Sequence, residues 1–138
     1  MAQRAIALFV DTSFWVAVFQ PSDDRHRQAV EASSRAAGRL LVTTNAVVAE
    51  TWTLLRRRAG HAKAWLWLDR TQAETRVRVE RISPELEEEA WTWLRVHDER
   101  PYSFVDATSF ALMRRLGISE ALAFDGDFAA AGFVELRP

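Results

Sequence analysis

An α/β fold with a mainly parallel central sheet is the architecture this sequence predicts, on three observations. Helical periodicities alternate with short apolar, β-forming runs along the chain, the pattern of helices layered over a sheet. The first run, Ile6 to Val10, is apolar at every position, as a strand covered on both faces must be. Serine, asparagine, glycine and proline punctuate the segments where helices should start and stop.

Each element follows in order. Ile6–Val10 is expected as a buried parallel strand closed by Asp11. Thr12 or Ser13 then caps a short helix through about Phe19. Gln20 to Asp24 holds Pro21 and reads as a loop. His26 to Ala37 is helical and stops at Gly38. Leu40–Thr43 is a short strand, and Asn45 caps a long helix that ends before Gly60. His61 to about Arg70 is helical. Val77, Val79 and Arg81 alternate with charged neighbours, an edge-strand pattern. Ser83-Pro84 starts a helix running to about His97, with acids in its first turn. Ser103 caps the next helix, which ends before Gly117. Ala121–Phe124 is a strand, Asp125-Gly126 a turn, and Phe133–Leu136 a last strand. No repeat or linker interrupts this order, so one domain over residues 1–138 is expected.

Composition narrows the chemistry. Cysteine is absent, which excludes a disulfide scaffold, a zinc ribbon, an iron–sulfur cluster and a thiol nucleophile. The longest apolar runs are far short of the roughly 20 residues of a membrane span, so a cytoplasmic protein is expected. The net charge is −1 and the pI about 6.3, so no global basic field announces a nucleic acid. Charge is nevertheless segregated. Thr51 to Arg81 carries eight Lys/Arg against three acids, and Ile82 to Glu99 six acids against one arginine.

Four acids stand out by position. Asp11 and Asp125 each follow a predicted strand, and ligands of open parallel sheets bind beyond the carboxyl ends of strands. Glu50 interrupts an otherwise apolar helical segment, Ala46 to Ala49. Asp106 lies in the first turn after Ser103. Each has a plain structural alternative: Asp125-Gly126 is a common turn, Ser103 with Asp106 makes a capping box, and Glu50 can reach solvent. All four together require separate coincidences in one small domain. Converging carboxylates repel unless they take up protons or a cation. A hard oxygen site of this kind suits Mg²⁺ or Mn²⁺, and carboxylate-bound metals activate water and clamp phosphodiesters. His26, His61 and His97 show no metal-ligand spacing.

These segments carry a resemblance. Leu8-Phe9-Val10-Asp11-Thr12-Ser13, Thr44-Asn45 through Glu50-Thr51, Ser103-Phe104-Val105-Asp106-Ala107-Thr108-Ser109, and Ala123-Phe124-Asp125-Gly126-Asp127-Phe128 occur in the order seen in PIN-domain nucleases. The chain resembles in particular the VapC toxins of bacterial toxin–antitoxin pairs. The resemblance implies a three-layer α/β/α PIN-like domain and a metal-dependent endoribonuclease. It carries Asp11, Glu50, Asp106 and Asp125 over as the catalytic, metal-holding cluster, with Thr12 or Ser13 beside the first acid and Ser103 ahead of the third. Asp125 sits three residues before Phe128, as the family's fourth acid does. Asp127 either adds to the cation field or caps the next short helix. The implied partners are RNA, a cognate antitoxin and a second copy of the chain.

Arg56-Arg57-Arg58 follows Glu50 along one helix and is the candidate RNA contact, against the alternative of a solvated helix end. Six tryptophans are many for this length. Trp65/Trp67 and Trp91/Trp93 are spaced by two, so one of each pair packs inward and the other faces out, where a partner surface is expected. The resemblance implies a groove for an antitoxin segment, and Trp52, Trp65 and Trp67 are the candidates to line it. Two other readings stay open: a PIN-fold RNA-processing nuclease without an antitoxin, and an Mg-binding receiver or phosphatase-like domain. The second usually needs a lysine at the phosphoryl group, and the one lysine, Lys63, lies in a helical stretch away from any strand end. A PIN-fold binding module without turnover is a further rival, which the presence of all four acids opposes.

Overall fold

The computed structural model describes residues 7–136. The expected start of the first strand at Ile6 lies outside them. Five strands form the sheet: β1 (Leu8–Val10), β2 (Leu41–Thr44), β3 (Val77–Glu80), β4 (Glu120–Leu122) and β5 (Val134–Glu135). Seven helices connect them: α1 (Thr12–Phe19), α2 (His26–Arg35), α3 (Asn45–Ala59), α4 (His61–Ala73), α5 (Pro84–Val96), α6 (Phe104–Leu116) and α7 (Asp127–Ala130). The sheet order is β3-β2-β1-β4-β5, and every pairing is parallel, Leu8 opposite Leu41 and Phe9 opposite Ala121. This is the expected α/β/α architecture.

Topology explains where a ligand can bind. The chain steps from β1 outward to β2 and β3, then crosses back to β4 and β5. Right-handed crossovers put the helices of the outward steps on one face and those of the return on the other. The direction reverses between β1 and β4, which leaves a crevice beyond their carboxyl ends. Beneath it the core is continuous: Leu8, Phe9 and Val10 are fully buried, and Phe9 stacks on Phe128 of α7 at 5.9 Å.

Two expected caps fall elsewhere. Asp11, not Thr12 or Ser13, caps α1, its carboxylate accepting from the Ser13 amide. Thr44, not Asn45, caps α3 by accepting from the Val47 amide at 3.0 Å. Asn45 instead accepts from the Ile82 amide at 2.9 Å, tying α3 to the segment after β3. Aspartate, threonine and serine cap about equally well, so local chemistry does not choose between neighbours. The backbone dihedrals that emerge from strand packing do. Ser83 and Ser103 cap α5 and α6 as expected. β4 ends at Leu122 rather than Phe124, so Asp125 stands on a short loop beyond the strand instead of directly after it.

Candidate active site

Asp11 stands where β1 turns into α1. Its Oδ2 accepts from the Ser13 hydroxyl at 2.8 Å and from the Ser13 amide at 3.2 Å. That hydroxyl also accepts from the Phe124 amide at 3.1 Å, so one serine ties Asp11 to the loop after β4. Thr12 donates to Glu50 Oε1 at 2.7 Å, joining the start of α1 to the middle of α3. Ser103 and Asp106 form a reciprocal capping box, the Asp106 amide donating to Ser103 Oγ at 2.9 Å and the Ser103 amide to Asp106 Oδ2 at 3.0 Å. Thus three of the expected acids are held by hydroxyl residues one to three positions away or one helix across.

The four acids meet. Asp11, Glu50, Asp106 and Asp125 all line one cavity of about 400 Å³ at the crevice, with Thr12 and Ser13 in its wall. Asp11 is only 3% exposed, whereas Asp125 sits in the open at the mouth. Burial disfavours the charged form of Asp11, and the Asp125 and Asp106 carboxylates add repulsion, so its pKa is pushed up to about 8. Burial also raises Asp106, to about 6, against the opposing hydrogen bond from Ser103. Asp125 is raised as well, by desolvation first and by Asp127 and Glu135 next. A cation among these carboxylates would offset their repulsion and favour the charged forms. Oxygens of Asp106, Asp125 and Asp127 lie within 4.8 Å of one another. An all-oxygen, all-acidic donor set fits a hard divalent cation.

Other expected residues separate. Arg58 lines the cavity, but Arg56 and Arg57 do not. None of the three histidines lines it: His26 bonds the Ala17 carbonyl, His97 bonds Glu99, and His61 accepts from Trp65. Trp67 is 3% exposed and packs edge-on against Trp15, while Trp65 is 44% exposed. Trp91 is exposed and Trp93 packs against the core, so both pairs divide as their spacing predicts. Trp52 and Trp65 meet at 5.5 Å in a second, larger cavity of about 680 Å³ between α3, α4 and the sheet edge at β3.

Arg25 is a site residue that the sequence did not reveal. It lines the acidic cavity, its guanidinium lies 5.4 Å from the centre of the Phe124 ring, and Nη1 donates to the Phe124 carbonyl at 3.4 Å. It sits in the polar loop before α2, where nothing local marks it. The only available hint was an arginine soon after a predicted β1–α1 corner.

Comparison with known proteins agrees with this fold. The PIN domain family matches residues 8–134. The 23S rRNA-specific endonuclease VapC20 of Mycobacterium tuberculosis is 54% identical over 131 residues, in both strain CDC 1551 / Oshkosh and strain ATCC 25618 / H37Rv. The alignment covers 95% of this chain and 98% of the relative. A crystal structure of Mycobacterium tuberculosis VapC20, described as a sarcin-ricin loop cleaving toxin, superposes with a TM-score of 0.90 at 53% identity, over 95% of this chain and 99% of that one. With its model matched over residues 8–134 and a relative 54% identical over 95% of the chain, the chain belongs to the PIN domain family of nucleases.

Proposed function

We propose that this chain is the toxin of a toxin–antitoxin pair, a metal-dependent endoribonuclease that cuts 23S rRNA at the sarcin–ricin loop, as the name and description of its relative suggest. The observation that carries the reading is the meeting of Asp11, Glu50, Asp106 and Asp125 in one cavity with arginines at its rim. Asp11 and Asp106 are the buried ligands, and Asp125 closes the set from the mouth. When bound, Mg²⁺ or Mn²⁺ supplies a water of lowered pKa and neutralises charge building on the phosphate. Glu50 would orient the attacking water: Oε1 is held by Thr12 at 2.7 Å, and Oε2 has no hydrogen-bond partner among the described residues. Ser13 keeps Asp11 and the loop of Asp125 at a fixed spacing. Arg25 and Arg58 take the RNA phosphates flanking the cut, because phosphate contacts set register without reading sequence.

Silencing uses the second cavity. An antitoxin segment lays apolar side chains on Trp52, Trp65 and Leu68 and extends an arginine to the acids, whose geometry suits a planar fork. The exposed Trp91 and Val96 of α5 are the proposed contact for a second copy. No helix among the described residues is long and apolar enough to cross a membrane, and we place the protein in the cytoplasm with its RNA.

The test is incubation with a sarcin–ricin stem-loop and with unrelated RNA, in Mn²⁺, in Mg²⁺ and in chelator, followed by end mapping. A single metal-dependent cut in the stem-loop is expected. Intact RNA in every metal, with label taken from a phosphoryl donor instead, would overturn the reading in favour of the receiver-like alternative.

A further inference from the structure

Asp127 is a carboxylate at the crevice that behaves unlike Asp11, Glu50, Asp106 and Asp125. One of its oxygens belongs to the group within 4.8 Å that includes Asp106 and Asp125. Yet Asp127 does not line the cavity. Its Oδ1 accepts from Arg100 Nε at 2.8 Å. The same guanidinium donates through Nη2 to the Asp125 backbone carbonyl at 3.3 Å. It closes over Gly126, which holds φ at 82° and would put a Cβ 3.5 Å from Nη2. The Asp127 amide donates to Asp125 Oδ1 at 3.1 Å, so the three residues form one tied turn.

Arg100 spans two parts of the site. It stands three positions before Ser103, whose capping box holds Asp106, and its carbonyl accepts from the Tyr102 amide at 2.8 Å. Its guanidinium reaches the turn that carries Asp125. Among the described residues Asp11, Glu50, Asp106 and Asp125 form no ion pair, whereas Asp23, which also lines the cavity, pairs with Arg58 at 4.0 Å and Asp127 pairs with Arg100 at 2.8 Å. A two-point hold by a planar fork is what arginine supplies and a point charge does not.

We propose that Arg100 is a positioning residue that withholds Asp127 from the cluster of Asp11, Glu50, Asp106 and Asp125, so that a cation meets those acids without it. The proposal rests on the reading of the crevice as a divalent-cation site. An unpaired Asp127 would draw a cation more strongly and repel the incoming phosphate. Arg100 therefore sets the cation affinity of the site from outside it.

Mn²⁺ titration by calorimetry tests this on the whole chain, with circular dichroism confirming the fold of each variant. Arg100→Gln removes the charge and keeps a hydrogen-bond donor. It is expected to bind Mn²⁺ about tenfold tighter or to take up a second ion. Asp127→Asn leaves Arg100 as a bare cation beside Asp125 and weakens binding. The double variant returns to within about twofold of wild type, and Arg100→Lys falls between wild type and Arg100→Gln. If Arg100→Gln binds no tighter, or if the double variant fails to return, Arg100 is only a strut and the proposal is wrong. Loss of binding in wild type as well would sink the cation-site reading and this proposal together. Wild-type binding with an unchanged Arg100→Gln isotherm would sink the role of Arg100 alone.

Discussion

Two cavities share helix α3, and they differ in almost every physical respect. Glu50, Leu54 and Arg58, four residues apart, face the acidic crevice. Val48, Ala49, Trp52 and Thr53 face the groove at the β3 edge. Val47, Thr51 and Leu55, again four apart, are fully buried against the sheet between them. The crevice is small, charged and hydrogen-bonded, with its carboxylates held against their own repulsion. The groove is larger and aromatic. One helix thus separates the proposed chemistry from the proposed partner surface by rotation alone, roughly 100° per residue. The lesson is that substitutions one position apart on α3 should fail in different assays.

The largest expected effect lies in the crevice. Asp11→Asn should lower cleavage at least about 10²-fold in a stem-loop assay, because it removes charge from the reaction centre at nearly constant shape. The same variant should raise the melting temperature of metal-free protein at neutral pH, by about 3 °C, since the neutral amide folds without having to take up a proton as Asp11 does. The pH dependence has a definite sign. Folded Asp11 keeps its proton up to about 8, while the unfolded chain releases it near 3.8, as an ordinary aspartate does. Between those values the folded state holds more protons, so metal-free stability is greatest at acid pH and falls as pH rises towards 8. Asp106, raised to about 6, adds to the lower half of that fall. Melting curves from pH 4 to 8 should show the decline in wild type and a flatter profile in Asp11→Asn. A wild-type profile that rises with pH would contradict the burial of these groups.

The next effect is in the groove. Trp65→Ala should weaken the antitoxin by about 2 kcal/mol, roughly thirtyfold, as the loss of an aromatic anchor does. Titrated inhibition of cleavage measures it. If Trp65→Ala leaves inhibition unchanged, the groove is not the docking surface and the two-cavity division fails on that side. A smaller effect returns to the crevice. Thr12→Val should cut kcat about tenfold, because Glu50 loses the hydroxyl that orients it. Unchanged kcat would remove Glu50 from the role of orienting the water. The smallest is at the rim. Arg58→Ala should raise KM for RNA about threefold and reduce the salt dependence of RNA binding, while Arg57→Ala leaves both alone. Equal effects from the two would show that the arginine run acts as a diffuse field.

The difference between local and distant information explains what could be read beforehand. The Ser103–Asp106 pair was legible because a capping box is a three-residue pattern whose hydrogen bonds close locally. Asp11 was legible because a strand covered on both faces must be a continuous apolar run, and the first charge after it marks its carboxyl end. Glu50 stood out as a charge inside an apolar helical segment. The choice of Asp11 over Thr12 as a cap was not legible, since all three candidates suit that position chemically. Nor was the selection of Arg58 from three neighbouring arginines, which depends on how α3 is rotated against the sheet. Arg25 over Phe124 and Arg100 on Asp127 join residues 99 and 27 positions apart, with no periodic signal linking them.

By itself the sequence determined the element order, the parallel sheet, the chemical type of the site and the family resemblance. Each of these follows from neighbours within a few residues or from an ordered set of such local motifs. Only the tertiary structure decided which side chains share the crevice and how deeply each is buried. The chain must cross the sheet from β3 to β4 before Asp125 can stand beside Asp11, and no local pattern encodes that meeting. Burial is likewise a property of the whole packing. It makes Asp11 hold its proton to about 8 while Asp125 stays open at the mouth, because desolvation depends on everything that surrounds a carboxylate in space.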